Sequence, residues 1–193
     1  MRYLYSALFY LLLPFIVLRM LLRSRRAPAY RRRLAERFGL FPAPVAQPGK
    51  RVIWVHAVSV GETLAAAPLV ESLLRDYPDH RVVVTTTTPT GSDRVRALFG
   101  DRVFHVYSPW DMPGAVKRFL HRVQPRLLVI METELWPNLL HSCHERGCPV
   151  VLANARLSER SVRGYGRFAG LTQGMMRQLS VVACQSQSDG DRF

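Results

Sequence analysis

Carboxylates placed at the ends of apolar runs are the residues in this chain most able to do chemistry. Glu62 is the first of them. It lies in Ile53–Val70, which reads I-W-V-H-A-V-S-V-G-E-T-L-A-A-A-P-L-V. Val52–Val58 is β-branched and apolar on both alternating faces, the pattern of a strand covered on both sides. Ser59, Gly61, Glu62 and Thr63 follow, and then an alanine-rich run that reads as a helix. Turns at the carboxyl ends of parallel strands are where such sheets bind ligands, so Glu62 at a helix start is a candidate for chemistry. A first-turn acid is also stabilised by the helix dipole by ~0.3–1 kcal/mol, and that plain role competes with the chemical one.

Glu132 and Glu134 form the second acidic group, in M-E-T-E-L-W-P-N, Met131–Asn138. In extended geometry the two side chains point to the same side, and Pro137 suits the first turn of a following helix. Carboxylates gathered near Glu62 would repel and raise at least one pKa toward that of a general base. Glu132 is the one favoured for chemistry, while Glu134 is expected to cap the helix. T-T-T-T-P-T-G-S, Thr85–Ser92, places hydroxyls and amides at a strand-to-helix turn. Thr88, Thr90, Gly91 and Ser92 are therefore candidate anion-binding residues, together with Ser59 and Gly61. Asn154 and Arg156 follow the fifth apolar run, where Arg156 could aim a guanidinium into the same cleft.

Several chemistries lack support. Neither the P-loop pattern nor G-x-G-x-x-G is present, and no G-x-S-x-G elbow marks a serine hydrolase. His141, Cys143, His144 and Cys148 have no usual metal-ligand spacing, so no metal and no cofactor are expected. His56, inside the first strand, reads as a packed core histidine. The odd cysteine count, three, suggests reduced thiols.

The elements that must position these residues alternate from Lys50 onward. Strands are predicted at Arg51–Val58, Arg81–Thr87, Val103–Tyr107, Arg126–Met131, Pro149–Ala153 and Val181–Gln185. Helices are predicted at Glu62–Asp76, Ser92–Phe99, Pro113–Val123 and Leu135–Arg146, the last starting at or near Pro137. Helical material follows from Ser158 to Leu179, and Ser186 opens a capping pattern with Asp189. This alternation predicts a Rossmann-like parallel sheet with helices on both faces. In the common order 3-2-1-4-5-6, strands one and four are neighbours, and Glu62 and Glu132 face one cleft.

The first 49 residues differ in kind. No acid precedes Glu36, while eight arginines from Arg2 to Arg33 supply +8 of the net +13. Tyr3–Leu18 is uncharged and almost wholly apolar; sixteen helical residues reach about 24 Å. Continued to Leu22 it reads as a membrane anchor, spanning or only embedded, with the basic flank on the cytoplasmic side and anionic lipid as partner. A cleaved signal is disfavoured because Arg19–Arg26 precede the Ala27-Pro28-Ala29 site. Residues 1–28 are thus an anchor with a basic collar. Residues 29–49 are a basic amphipathic helix, Ala29–Phe38, and a Pro-rich linker, and residues 50–193 are the sheet domain. Because the arginines crowd the anchor rather than the sheet's ligand edge, nucleic acid is not an expected partner. A membrane-tethered sugar-nucleotide or phosphate-binding module without catalysis is the alternative reading.

The combination R-R-R-L-A-E-R-F-G (Arg31 to Gly39), H-A-V-S-V-G-E-T, T-T-T-T-P-T-G-S, M-E-T-E-L-W-P-N and N-A-R-L-S resembles bacterial 3-deoxy-D-manno-octulosonic acid (Kdo) transferase along essentially the whole chain. The resemblance implies the N-terminal half of an inverting, metal-independent GT-B glycosyltransferase with two facing Rossmann-like domains. It implies transfer of Kdo from CMP-Kdo to the lipid A precursor, at the cytoplasmic face of the bacterial inner membrane. By motif, Glu62 corresponds to the general base and Glu132 to a residue stabilising the transition state. The family's donor-binding residues and a further stabilising lysine are expected beyond Phe193, which leaves this chain the acceptor half.

Overall fold

β1 (Arg51–His56) is the strand on which both faces of the core meet. Its residues alternate between two apolar clusters. Val52 and Trp54 pack with Phe119, Leu120, Leu128, Leu139 and Leu152, while Ile53 and Val55 pack with Ala66, Val70, Val95 and Phe99. A strand whose two faces are both apolar can be satisfied only between two layers of helices. The computed structural model describes residues 1–42, 45, 49–157, 159–166 and 168–193. Within them β1 is joined by β2 (His80–Thr86), β3 (Phe104–Tyr107), β4 (Pro125–Met131), β5 (Val150–Ala155) and β6 (Val181–Cys184). All five pairings are parallel.

The order is β3-β2-β1-β4-β5-β6, as the alternation predicted. β1 and β4 are therefore neighbours, with His56 in register with Ile130. After an apolar first helix, α1 (Arg2–Ser24), the helices are α2 (Val60–Asp76), α3 (Pro89–Phe99), α4 (Pro113–Val123), α5 (Pro137–Glu145), α6 (Glu159–Gly166), α7 (Ala169–Met176) and α8 (Gln187–Gly190). α2 and α3 cover one face; α4, α5 and α7 supply the cluster on the other. Local chemistry sets the starts. Ser59, Thr88 and Ser186 each cap a helix by accepting from the amide three residues on, and α3, α4 and α5 each open with proline.

The basic amphipathic helix predicted over Ala29–Phe38 does not form. Two 3₁₀ turns, Pro28–Tyr30 and Leu34–Phe38, take its place, separated by Arg33 at φ 58°. Side chains drawn into the domain are the physical reason. Arg33 donates to Ser92 Oγ and to the His105 carbonyl, Glu36 accepts from the Tyr107 amide, and Arg37 Nη2 donates to the Thr87 carbonyl at 2.7 Å. These bonds draw the chain onto the ends of β2 and β3, and the left-handed Arg33 breaks the helix between the two turns. The segment is a strap rather than a surface helix. The predicted linker lies partly outside the described residues, at positions 43, 44 and 46–48, and positions 158 and 167 of the predicted helical stretch do as well.

Candidate functional site

Glu62 sits in the first turn of α2 with 6% of its surface exposed. Val58 N–H donates to Oε2 at 2.7 Å and the Ser59 hydroxyl donates to Oε1 at 2.8 Å, while Ser59 Oγ accepts from the Glu62 amide. The reciprocal bonds between Ser59 and Glu62 are a variant of a capping box in which Glu62 takes the Val58 amide, so the plain structural role is real. It does not account for the electrostatics. Burial pushes the Glu62 carboxyl above its ordinary range; the Val58 and Ser59 hydrogen bonds oppose the shift, and Glu134 and Glu132 add to it. Gly61, one residue earlier, is exposed, and a methyl placed there would meet only Ser59 Oγ, at 3.8 Å. Glycine inside a helix costs about 0.5–1 kcal/mol relative to alanine, and no packing demand at this position offsets that cost. It leaves open space beside the carboxylate.

β4 ends at Met131, and the chain then turns sharply. Glu132 adopts φ 57°, its amide donating to the Ala153 carbonyl at 2.9 Å. The extended geometry expected for Glu132 and Glu134 is thus absent, because the left-handed residue ends the strand. Both carboxylates still lie close enough to Glu62 to raise its pKa, Glu134 more strongly than Glu132. Glu132 is exposed and forms no ion pair among the described residues. Glu134 does not cap α5 as expected; its Oε2 accepts from Trp136 Nε1 at 3.0 Å. That indole stands edge-on to His56 with ring centroids 4.8 Å apart. His56 is wholly buried, accepts or donates at Thr85 Oγ1, and is held neutral, its pKa lowered to about 3 by burial. It is a core histidine, as predicted.

The flanking turns lie along the same edge, after β2 and after β5. Thr88 Oγ1 accepts from the Gly91 amide at 3.1 Å, and Thr90 donates to Thr88. Gly91 is closely packed: a methyl there would lie 3.0 Å from Thr88 Oγ1 and 3.3 Å from the Thr86 side chain, so the cap would have to give by a few tenths of an ångström. Ser92 faces inward at 2% exposure, braced by Arg33 and by His105 Nε2 at 2.7 Å, so its hydroxyl is not open to the cleft. Asn154, at φ 57°, sits in the irregularity of β5, and its carbonyl accepts from Gln185. Arg156 is exposed, with its carbonyl bonded to the Thr133 hydroxyl. That bond ties the β5 turn to the acidic turn.

Two residues of this edge escaped the sequence reading. Asp111, buried at 3% exposure, accepts from the amides of Asn138 and Leu139 at 3.0 and 2.8 Å and so caps α5 from outside the helix. Its pKa is pushed up to about 6 by burial, against the amide bonds, the Tyr5 hydroxyl and the charge of Arg2. Asn138, fully buried, donates to the Asp111 carbonyl and accepts from Arg2 Nη1 and Ser6 Oγ. The one available signal was an acid following the third strand in S-P-W-D-M-P. Its partners, 27 residues downstream and at the chain start, left no local trace.

Comparison with known proteins gives a consistent picture. The profile of a family described as 3-deoxy-D-manno-octulosonic-acid transferase (kdotransferase) matches residues 32–193. The 3-deoxy-D-manno-octulosonic acid transferase of Haemophilus influenzae is 47% identical over 192 residues, covering all of this chain and 45% of that protein. That of Bordetella pertussis is 41% identical, covering 94% and 44%. A protein of Arabidopsis thaliana named as a probable mitochondrial 3-deoxy-D-manno-octulosonic acid transferase is 35% identical, covering 98% and 42%. The chain spans less than half the length of these relatives. Among solved structures, a UDP-N-acetylglucosamine 2-epimerase superposes with TM-score 0.53 at 14% identity, over 74% of this chain and 44% of the other. The UDP-GlcNAc 2-epimerase of Neisseria meningitidis gives 0.52 at 13%, over 74% and 42%. At such identities the likeness is one of fold.

Proposed function

Given that the chain belongs to the 3-deoxy-D-manno-octulosonic-acid transferase family, we propose that it forms the acceptor-binding half of an inverting glycosyltransferase with Glu62 as general base. The donor is CMP-Kdo and the acceptor the lipid A precursor, worked on at the cytoplasmic face of the bacterial inner membrane. As the acceptor hydroxyl attacks the anomeric carbon, a carboxylate oxygen of Glu62 takes its proton. The new C–O bond forms on the face opposite the departing CMP, which leaves with the electron pair of the broken bond. Positive charge builds on the sugar ring as that bond lengthens, and exposed Glu132 is the group assigned to stabilise it. Ser59 holds Glu62 in place from the helix cap. Thr88, Thr90, Gly91, Asn154 and Arg156 line the flanks where acceptor phosphates would be gripped, and the donor contacts belong to the length the relatives have beyond this match. No metal or cofactor enters the scheme.

The observation that supports this most is a buried carboxylate at the end of β1, raised in pKa and joined there by two further carboxylates from β4. A mere cap would gain from a lowered pKa; a base near neutrality needs it raised. The test joins this chain to the remaining part of the Haemophilus influenzae relative and measures Kdo transfer from CMP-Kdo to lipid IVA. Glu62→Gln, which keeps the shape and the cap, is expected to lower kcat by roughly 10²-fold or more while acceptor binding stays unchanged. Near-normal turnover in Glu62→Gln removes the base. Acceptor binding without turnover in the unsubstituted protein favours a binding module without catalysis.

A further inference from the structure

α1 is the one described helix long and apolar enough to cross a bilayer, but its partners forbid it to do so. Its less exposed residues follow one stripe at helical spacing: Arg2, Ser6, Phe9, Leu13, Met20 and Ser24 are buried or half-buried. The opposite stripe, Leu4, Leu8, Leu11, Phe15, Leu18 and Leu22, is exposed along its whole length and has no polar member. The first end is pinned to the sheet domain by Arg2 and Ser6 on Asn138 and by Tyr5 on Asp111. Past the other end, Arg23 lies over the Tyr30 ring at 4.6 Å, and Arg33 is bonded to Ser92 and His105 of the same domain. Both ends of α1 therefore belong on one side of any membrane.

Were α1 to span, residues 25–32 would have to cross back. That segment contains Arg25, Arg26, Arg31 and Arg32, each costing roughly 2.5–3.5 kcal/mol at the bilayer centre. It also contains a 3₁₀ turn that shortens its reach below the ~30 Å of hydrocarbon. We propose that α1 lies in the plane of a bilayer surface, its Leu4–Leu22 stripe sunk into one leaflet of anionic lipid. Charge complementarity selects that occupant. Arg19, Arg23, Arg25, Arg26, Arg31 and Arg32 are exposed around the stripe, and none pairs with an acid among the described residues. A second copy of the chain would bring the same arginines face to face. The inference concerns how the helix is seated and does not depend on the reaction proposed for Glu62.

Nitroxide labels on single cysteines in the whole chain test it. Leu4→Cys, Leu11→Cys, Leu22→Cys and the inward Leu13→Cys are bound to vesicles of phosphatidylethanolamine and phosphatidylglycerol. The unsubstituted chain gives the background of its own cysteines. Depth is read from collisional relaxation by oxygen and by a water-soluble nickel chelate. Equal depth at Leu4, Leu11 and Leu22, with Leu13 shallower, is expected. A maximum at Leu11, about 10 Å deeper than Leu4 as the helical rise demands of a spanning rod, overturns the proposal. Spin–spin broadening between Leu11 labels, the sign of a second copy on the stripe, also overturns it. Arg25→Ser and Arg26→Ser should each weaken binding to these vesicles roughly fivefold, with little change on phosphatidylcholine; an equal loss on both lipids counts against anionic lipid as the partner.

Discussion

At the scale of single residues, burial determines which charges this protein tolerates. His56 and Asp111 are both enclosed, and their pKa values move apart in pH dependence. Burial lowers His56 to about 3, so the fold excludes a proton that the unfolded chain accepts near 6.5. Its contribution is whole above that value and is lost as pH falls toward 3. Asp111 runs the other way: raised to about 6, it takes up a proton in the fold first, so stability is gained as pH falls from 6 toward 4. The histidine shift is the larger, and His105, lowered to about 4, adds to it. Melting temperature is therefore expected to fall between pH 6.5 and 4, and Asp111→Asn should steepen the fall by removing the opposing gain. A slope that flattens in Asp111→Asn would place the titration elsewhere.

The elements show where sequence pattern is a sufficient guide and where it stops. Apolar runs bounded by Ser59, Thr88 and Pro113 fixed strands and helices because capping and proline chemistry act within a few residues. Strand order followed from alternation, since a parallel sheet of this kind has few ways to wind. The strap over residues 28–38 looks helical in sequence because Arg33, Glu36 and Arg37 are polar enough to look solvated, and their partners just after β2 and on α3 and β3 are invisible locally. Glu132's backward turn and Asp111's cap on α5 were hidden for the same reason. Gly39 offers a check on the strap. It sits at φ 73°, and an added methyl would lie 2.5 Å from the Ala115 carbonyl and 2.9 Å from the Phe119 amide. Gly39→Ala should destabilise the chain by several kcal/mol in urea unfolding, through left-handed strain and backbone clash together. Gly147, at φ 65° in open space, should cost only ~1 kcal/mol on the same change. Equal effects would mean the strap is not seated against α4.

For the molecule as a whole, one side is crowded with purpose. The sheet's carboxyl edge holds Glu62, Glu132 and Glu134, and the first turns of α1 are fastened a few residues away, on Asn138 at the start of α5. An apolar groove of about 400 Å³ opens between α1 and the α6–α7 region, walled by Leu4, Tyr5 and Leu8 of α1 and by Tyr165, Phe168 and Leu171. The uncovered leucines of α1 also have a practical outcome at the bench. In plain buffer no lipid covers that ridge, and copies are driven together by it without order, against the repulsion of their arginines. Light scattering on dilute chain is expected to show clumps that grow with concentration and dissolve once a mild detergent passes its micelle threshold. Replacing Leu11 and Leu18 by glutamine should suppress them. Particles seen under those first conditions would then report a missing lipid coat and say nothing of quaternary design.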